Sequence, residues 1–268
     1  MDRILIVGQH TLIRAKLNSI LRRSNIVEVF DTFSEAYSAV EKKAYDKVIL
    51  DGLSDGLRIV RYQMKCSINV IYKLSERAVV NGDSISALRE KQGKMLAERA
   101  LEAGISRLDL VVPVPNTGIP YAKGFAKAGG YNYKEVLRKT ANLRSFDIEN
   151  EEIRKKLISQ IIEADDKELK DKRICLIDEA VFTGTTLKVM CALLREKGVK
   201  EITVMIPTPP CRRACANCSI PLKPMILEKI PLEELPQMIG ADRVIYQKKE
   251  VFEEAMEQTG MTCTDCFG

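Results

Sequence analysis

The residues with the clearest chemical potential lie between positions 174 and 186. An apolar run ends there at two adjacent carboxylates, Asp178 and Glu179, and a short turn of small and hydroxyl-bearing residues follows at 183–186. Such carboxylates can hold ribose hydroxyls or Mg²⁺, because Mg²⁺ prefers one or two carboxylates together with substrate oxygens. If the turn opens a helix, its unpaired backbone N–H groups and the positive end of the helix dipole favour an anion. The segment predicts a phosphate cradle; the alternative is an ordinary turn with solvated carboxylates.

The flanking residues predict the elements that would hold this cradle. The apolar run is short and rich in β-forming residues, which is typical of a strand, whereas Leu187, Met190, Leu193 and Leu194 repeat at helical spacing before Gly198. A strand, a turn and a helix are therefore expected in that order. A Walker-type nucleotide loop is excluded, because the pattern G-x-x-x-x-G-K-[ST] is absent.

Residues 177–186 resemble the phosphoribosyl pyrophosphate (PRPP) loop of type I phosphoribosyltransferases. Within that superfamily they are most similar to the glutamine amidophosphoribosyltransferases, whose loop reads roughly V-D-D-S-I-V-R-G-T-T. The resemblance implies that Asp178 and Glu179 bind ribose hydroxyls, Mg²⁺ or the developing cation. It also implies that the following residues hold the 5′-phosphate: Ala180, Val181, Phe182, Thr183, Gly184, Thr185 and Thr186.

Further segments carry the same resemblance in the same order. Residues 111–120 look like the family string V-I-P-V-P-D-T-S-I-P, residues 133–139 like Y-R-E-G-L-V-K, and residues 144–146 like R-T-F. The first string implies that Asn116, Thr117 and Gly118 face the pyrophosphate. The others imply that Lys139 and Arg144 stabilise the departing pyrophosphate. Asn116 and Gly118 differ from the family's acidic residue and serine, which weakens the expectation of catalysis at this turn.

The cysteines form a separate pattern. The chain has eight of them and a single histidine, His10, so mixed Cys/His zinc sites are not favoured and all-thiolate coordination of zinc or an iron–sulfur cluster remains. One branch of the amidophosphoribosyltransferases binds a four-iron four-sulfur cluster through four separated cysteines. The matching positions here are Cys66, Cys215, Cys263 and Cys266. A local zinc site that uses Cys211 and Cys218, or a set of reduced thiols, stays open.

Composition restricts the class of protein. With 46% hydrophobic and 29% charged residues over 268 positions, the chain can bury a full core. We expect a cytoplasmic protein, since no membrane segment or signal peptide is recognisable. The net charge of +5 is spread among acidic residues, so a nucleic-acid partner is not expected.

The sequence predicts an α/β fold with a mainly parallel, type I phosphoribosyltransferase-like sheet flanked by helices. Residues 1–60 read as a small βαβαβ segment, with strands at 3–7, 27–30 and 47–50 and helices at 12–21 and 34–43, or as a remnant of a glutaminase domain. Residues 61–268 read as the transferase-like domain with a cysteine-bearing C-terminal extension.

These patterns predict a pentosyl transferase that uses PRPP, Mg²⁺ and a nitrogen nucleophile such as ammonia. The nucleophile of the family's glutaminase domain is a processed N-terminal cysteine, whereas here residue 2 is aspartate and the first cysteine is Cys66. We therefore expect no glutaminase activity, a separate protein that supplies ammonia or the acceptor, and a homo-oligomer. The alternatives are a non-catalytic PRPP or nucleotide sensor and an iron–sulfur structural or redox protein.

Overall fold

The computed structural model describes residues 3–8, 18–19, 21–23, 26–30, 47–51, 58–59, 65–105, 107–140, 150–164, 169–215 and 224–267. In chain order the described strands and α-helices are β1 (Arg3–Gly8), β2 (Ile26–Phe30), β3 (Lys47–Asp51), β4 (Arg58–Ile59), β5 (Val79–Val80), β6 (Asp83–Ser84), α1 (Ile85–Glu102), β7 (Leu110–Pro113), α2 (Gly118–Gly129), β8 (Leu137–Lys139), α3 (Glu151–Ile161), β9 (Ile162–Ala164), β10 (Arg173–Ile177), α4 (Thr185–Glu196), β11 (Glu201–Ile206), α5 (Leu235–Ile239), β12 (Arg243–Tyr246) and α6 (Lys249–Glu257).

A parallel sheet positions the candidate site. Its described strands lie in the order β12-β11-β10-β7, and Ile177 at the end of β10 pairs with Pro113 of β7 and Met205 of β11. The strands therefore end along one edge, so the loops that follow β7 and β10 are neighbours. This confirms the predicted α/β fold with a parallel sheet flanked by helices.

Both faces of the sheet are covered, which explains the uninterrupted apolar sequence of β10. Ile174 and Leu176 pack in the cluster that contains Leu187 and Met190 of α4. Cys175 and Ile177 pack in a second cluster with residues of α1 and α2, as expected from the alternation of side chains along a strand. The predicted strand and helix around residues 174–198 are confirmed, and Gly198 ends the turn after α4 with φ +78°.

Helices α1 and α2 cross at two glycines. A Cβ atom built on Gly93 would lie 2.0 Å from the carbonyl oxygen of Tyr121, and one built on Gly124 would lie 2.0 Å from that of Glu90. No larger residue fits at either position without a shift of the backbone. The close crossing fixes α2, which begins beside the end of β7, relative to α1.

The N-terminal strands form a sheet of their own, in the order β2-β1-β3-β4. β1 runs parallel to β2 and β3, and β4 is antiparallel to β3. The first three strands occur at the predicted strand positions. Of the predicted helices, residues 18, 19 and 21 are helical, and the rest of 12–21 and all of 34–43 lie outside the described residues. The proposed domain boundary near residue 60 stays a prediction.

The C-terminal segment pairs with the chain that precedes the central sheet. Ser67 N–H donates to Cys263 O at 3.1 Å, and Cys263 N–H donates to Lys65 O at 2.9 Å. Nearby, the side-chain amide of Asn69 contacts Met261 Sδ at 3.9 Å. The C-terminal residues are thereby held against residues 65–73. In the described part of the chain, the helices are too short or too polar to cross a membrane.

Candidate active site

The two predicted carboxylates lie at the end of β10 in a buried position. Asp178 is 5% exposed and Glu179 is 8% exposed, and both line a cavity of about 400 Å³. The backbone N–H of Glu179 donates to Asp178 Oδ1 at 3.0 Å. Burial, and secondarily the neighbouring Glu179 carboxylate, raises the pKa of Asp178 well above its usual range.

Glu179 carries an incomplete hydrogen-bond shell. Its Oε2 atom is buried and has no hydrogen-bond partner among the described residues. Buried carboxylate oxygens are normally paired, because an unpaired one has lost its water without compensation. Glu179 lines the same cavity, so a ligand bound there is a candidate partner for its carboxylate.

The phosphate-cradle prediction is matched by a glycine turn and a helix start. Gly184 has φ +73°, in the left-handed region, and α4 begins at the next residue, Thr185. The first turn of α4 therefore presents N–H groups at the end of the loop, where an anion is favoured. Thr183 and Thr185 place their hydroxyl oxygens 3.2 Å apart.

A second turn, after β7, lines the same cavity as the carboxylates. Val114 N–H donates to Ile177 O at 2.8 Å, which ties this turn to the end of β10. The Pro115–Asn116 peptide bond is cis, and Asn116 and Thr117 line the cavity. Gly118 does not line it: a Cβ atom there would lie 2.5 Å from Ile177 O, so its observed role is close packing against β10.

A third wall of the cavity was not predicted from the sequence. It consists of Tyr72, Leu74, Ser75 and Glu76 together with Arg89 of α1. Arg89 is 2% exposed and donates from Nε to Val70 O at 2.9 Å and from Nη2 to Leu74 O at 3.2 Å. A charged residue among the apolar positions of α1 was the only sequence signal for this wall.

The structure brings most of the predicted site residues to one cavity. The predicted residues that line it are Asn116, Thr117, Lys139, Asp178, Glu179, Ala180, Val181, Phe182, Thr183, Gly184 and Thr186. Thr185 lies behind the loop, where its hydroxyl accepts a hydrogen bond from Arg154. Arg144 lies outside the described residues.

The cysteines predicted as metal ligands lie in one region of the fold. Cys66 forms a parallel bridge with Cys263, and the carbonyl of Cys266 accepts from Arg212 N–H at 3.0 Å. Cys66, Cys211 and Cys266 belong to one buried cluster, and Cys215 packs against it. Among the described residues, no disulfide bond joins the cysteines, and Cys218 lies outside the described residues. Within the described ranges, no three Cys, His, Asp or Glu side chains are grouped as metal ligands.

Comparison with known proteins agrees with this geometry. Residues 83–211 match the phosphoribosyl transferase domain family, and that segment contains both turns and α4. The chain therefore contains a phosphoribosyl transferase domain. The predicted resemblance is thereby confirmed.

Its relatives within this family include amidophosphoribosyltransferases. The one from Methanothermobacter thermautotrophicus is 30% identical over 207 residues, which cover 75% of this chain and 43% of the relative. The one from Pyrococcus horikoshii is 32% identical over 205 residues, which cover 74% and 44%.

A solved structure is similar as well. The glutamine PRPP amidotransferase from B. subtilis, complexed with ADP and GMP, matches with a TM-score of 0.64 at 26% identity, covering 80% of this chain and 49% of that one. The chain thus spans less than half the length of these similar proteins.

Proposed function

We propose that this chain transfers the ribose 5-phosphate group of PRPP to ammonia or another nitrogen nucleophile and releases pyrophosphate. The observation that carries the proposal is the buried Glu179 Oε2, which has no hydrogen-bond partner among the described residues; Asp178, Glu179 and the first residues of α4 line one cavity. An unsatisfied buried polar atom costs about 1–3 kcal/mol. A ribose hydroxyl or a hydrated cation would relieve that cost.

In the proposed reaction the bond between C1 of the ribose and the pyrophosphate oxygen breaks with its electron pair on pyrophosphate. A bond from the nitrogen lone pair to C1 forms, and the nitrogen then loses a proton to solvent. C1 develops oxocarbenium character on the way, as in glycoside cleavage. The protein has to stabilise charge on the leaving group and exclude water.

The residues around the cavity divide these tasks. The turn at Thr183, Gly184 and Thr186 and the N–H groups of α4 would hold the 5′-phosphate, while Asp178 and Glu179 would bind the ribose hydroxyls or steady the cation. Lys139 lines the same cavity and is proposed to contact the pyrophosphate. Arg144 is proposed for the same role from its sequence position.

The carboxylate pair also fits Mg²⁺. Two adjacent carboxylates supply the hard oxygen donors that this ion prefers, and in the described part of the chain one of their oxygens has no hydrogen-bond partner. Substrate oxygens would complete the shell. When bound, Mg²⁺ would neutralise charge on the pyrophosphate.

We propose ammonia, an amine or a nucleophile delivered by a partner protein as the nitrogen source. In these 268 residues the first cysteine is Cys66, which belongs to a buried cluster. We therefore expect ammonia, and not free glutamine, to drive pyrophosphate release by a purified chain of these 268 residues. Glutamine-driven release of pyrophosphate by that chain would contradict this assignment.

A four-iron four-sulfur cluster on Cys66, Cys215, Cys263 and Cys266 is the second part of the proposal. Two observations support it: three segments that pack in one region contribute these four cysteines, and no disulfide bond joins them among the described residues. A cluster bound there would supply structural stabilisation by linking these segments. Zinc on the nearby Cys211, Cys215 and Cys218 is the alternative.

The test is calorimetric titration of anaerobically purified protein with PRPP and Mg²⁺, followed by a pyrophosphate-release assay with ammonia. Saturable PRPP binding that requires Mg²⁺, together with ammonia-dependent release, is the expected result. Absence of PRPP binding by folded protein would overturn the proposal.

The second candidate function is a PRPP or nucleotide sensor without turnover. Asn116 on the cavity wall and the packing role of Gly118 favour it, because neither offers the carboxylate or hydroxyl of the family string. Tight PRPP binding without pyrophosphate release under any amine would select this candidate.

A further inference from the structure

A buried arginine stands directly behind the phosphate loop. Arg154 of α3 is 3% exposed, and its Nη2 donates to Thr185 Oγ1 at 3.0 Å. Thr185 is the first residue of α4 and is itself 4% exposed. From there, Thr185 Oγ1 lies 3.2 Å from Thr183 Oγ1, and Thr183 lines the cavity. A continuous chain of contacts therefore runs from the guanidinium to the cavity.

The chemistry of the guanidinium fixes the direction of the first contact. Arginine only donates hydrogen bonds, so Thr185 Oγ1 is the acceptor of the Arg154 contact. Either hydroxyl can donate in the contact between Thr185 and Thr183; when Thr185 donates, the Thr183 proton is left for an acceptor in the cavity. A phosphate oxygen is such an acceptor.

The positive charge of Arg154 also favours an anion at the phosphate loop. The N-terminus of α4 is the positive end of the helix dipole, and the guanidinium adds a full positive charge beside it. Charges act more strongly in the interior than in water, because the effective dielectric constant is lower there. The combined field favours an anion at the loop.

We propose that Arg154 is a positioning residue of the phosphate loop, which it serves by fixing Thr185, by orienting Thr183 as a donor and by adding buried positive charge. The inference rests on the proposed function, since it assigns a role toward the 5′-phosphate of PRPP. It also predicts selectivity: the turn at Asn116 and Thr117, which would face pyrophosphate, has no part in the contact chain.

The test compares two partial ligands on the whole chain: ribose 5-phosphate, which probes the loop, and pyrophosphate with Mg²⁺, which probes the second turn. For Arg154→Gln we expect ribose 5-phosphate binding at least about tenfold weaker, equivalent to about 1.4 kcal/mol, and pyrophosphate binding within about twofold of the parent. Arg154→Lys, which keeps the charge, should recover part of the loss. In steady state the KM for PRPP should rise more than kcat falls.

A matched control is available on the same helix. Lys156 is exposed on α3, and Lys156→Gln removes the same charge without touching the loop. Both partial ligands should bind Lys156→Gln as they bind the parent. Thr185→Val removes the hydroxyl that accepts from Arg154 and should weaken binding of ribose 5-phosphate selectively. Thr185→Ser keeps the hydroxyl and should bind both partial ligands as the parent does. This second pair keeps the test decisive if Arg154→Gln does not fold.

Three results would overturn the inference. If Arg154→Gln or Thr185→Val binds ribose 5-phosphate as tightly as the parent, Arg154 does not position the phosphate loop, and the proposed function is unaffected. Equal loss of both ligands in a folded variant would show a merely structural arginine. A parent chain that binds neither ligand would overturn the proposed function as well.

Discussion

At the scale of single residues, Asp178 serves ligand binding at the expense of the stability of the folded protein. Its carboxyl is buried, and its raised pKa means that the folded chain holds the proton more tightly than the unfolded chain. The contribution of this one carboxyl to the free energy of unfolding is therefore fully present below the unfolded pKa, about 3.9, and is lost as the pH rises toward the higher folded value. The group required for the proposed chemistry thus weakens the empty protein at neutral pH.

Replacing the Asp178 carboxyl by an amide should stabilise the protein and slow the proposed reaction. We expect Asp178→Asn to raise the melting temperature at pH 7 by about 2–4 °C per kcal/mol recovered and to flatten the fall in stability with pH. Pyrophosphate release should slow by at least about 100-fold, the scale of losing one preorganised electrostatic contact. Calorimetry across pH and the release assay measure both effects. The control is Asp171→Asn, at an exposed position, which should change neither the melting temperature nor the release rate. An Asp178→Asn variant that is not stabilised, or that is fully active, would contradict this interpretation.

Gly184 offers a second prediction at residue scale, with an internal control in Gly104. Their φ values are +73° and +71°, so alanine at either should cost about 1–2 kcal/mol of backbone strain. A Cβ on Gly184 would also lie 2.8 Å from Ile226 Cδ1, whereas one on Gly104 meets nothing within 4 Å.

PRPP affinity should separate the two variants. Gly184→Ala should bind PRPP at least about tenfold more weakly, or about 1.4 kcal/mol, because the loop must shift where the phosphate approaches. Gly104→Ala should lose similar stability and keep the parental affinity. Calorimetric titration of both folded variants with PRPP measures the two affinities. An unchanged affinity in Gly184→Ala would show that this turn does not bind the phosphate.

At the scale of elements, the crossing of α1 and α2 controls the second turn. α2 begins at Gly118, directly after the turn that carries Asn116 and Thr117, and its position depends on the contact of Gly124 with Glu90 O. A methyl group at Gly124 would push the helices apart. Any displacement of α2 would be passed to the start of the helix and to the turn.

Gly124→Ala should therefore destabilise the protein by about 1–3 kcal/mol, the usual cost of overpacking a close contact. It should also weaken binding of pyrophosphate with Mg²⁺ more than binding of ribose 5-phosphate. Urea denaturation and calorimetry measure these changes. Lys127→Ala, exposed on the same helix, is the control; a Gly124→Ala variant as stable as this control would show that the crossing is not tight in solution.

The elements also show how far the sequence could predict the site. β10, the loop and α4 are contiguous, so the apolar run, the carboxylates and the helical spacing sufficed to predict them. The wall at Tyr72 and Glu76 could not be predicted, because only tertiary packing brings it to the loop. The same holds for Arg154, which reaches Thr185 across 31 residues of chain. Gly118 was predicted to face pyrophosphate from a string match, whereas its neighbour Ile177 determines its packing.

At the scale of the whole molecule, the cysteine region is the feature that joins distant segments. Anaerobically purified protein should be brown and contain about four iron atoms per chain if a four-iron cluster is bound. Serine at Cys263 or Cys266 should bleach it and increase protease sensitivity. Serine at Cys175 or Cys191 should leave the colour, because both are buried within the sheet and α4, where burial raises the pKa of each thiol.

Absorption spectra, iron and zinc analysis and limited proteolysis make the comparison. One zinc ion in a colourless preparation would favour the local site at Cys211, Cys215 and Cys218. Metal-free protein of full stability would refute both kinds of site.

The contact between Asn69 and Met261 spans 192 residues of chain, beside the pairing of Cys66 with Cys263. Because the ribosome makes the chain from its N-terminus, residues 65–76 emerge long before their C-terminal partners exist. The pairing of Ser67 and Asn69 with residues 261–263 therefore forms only after residue 263 has left the ribosome. Until then the apolar side chains of Ile68, Val70 and Ile71 lack their packing against Met261 and Phe267, and chaperone binding would protect them from aggregation.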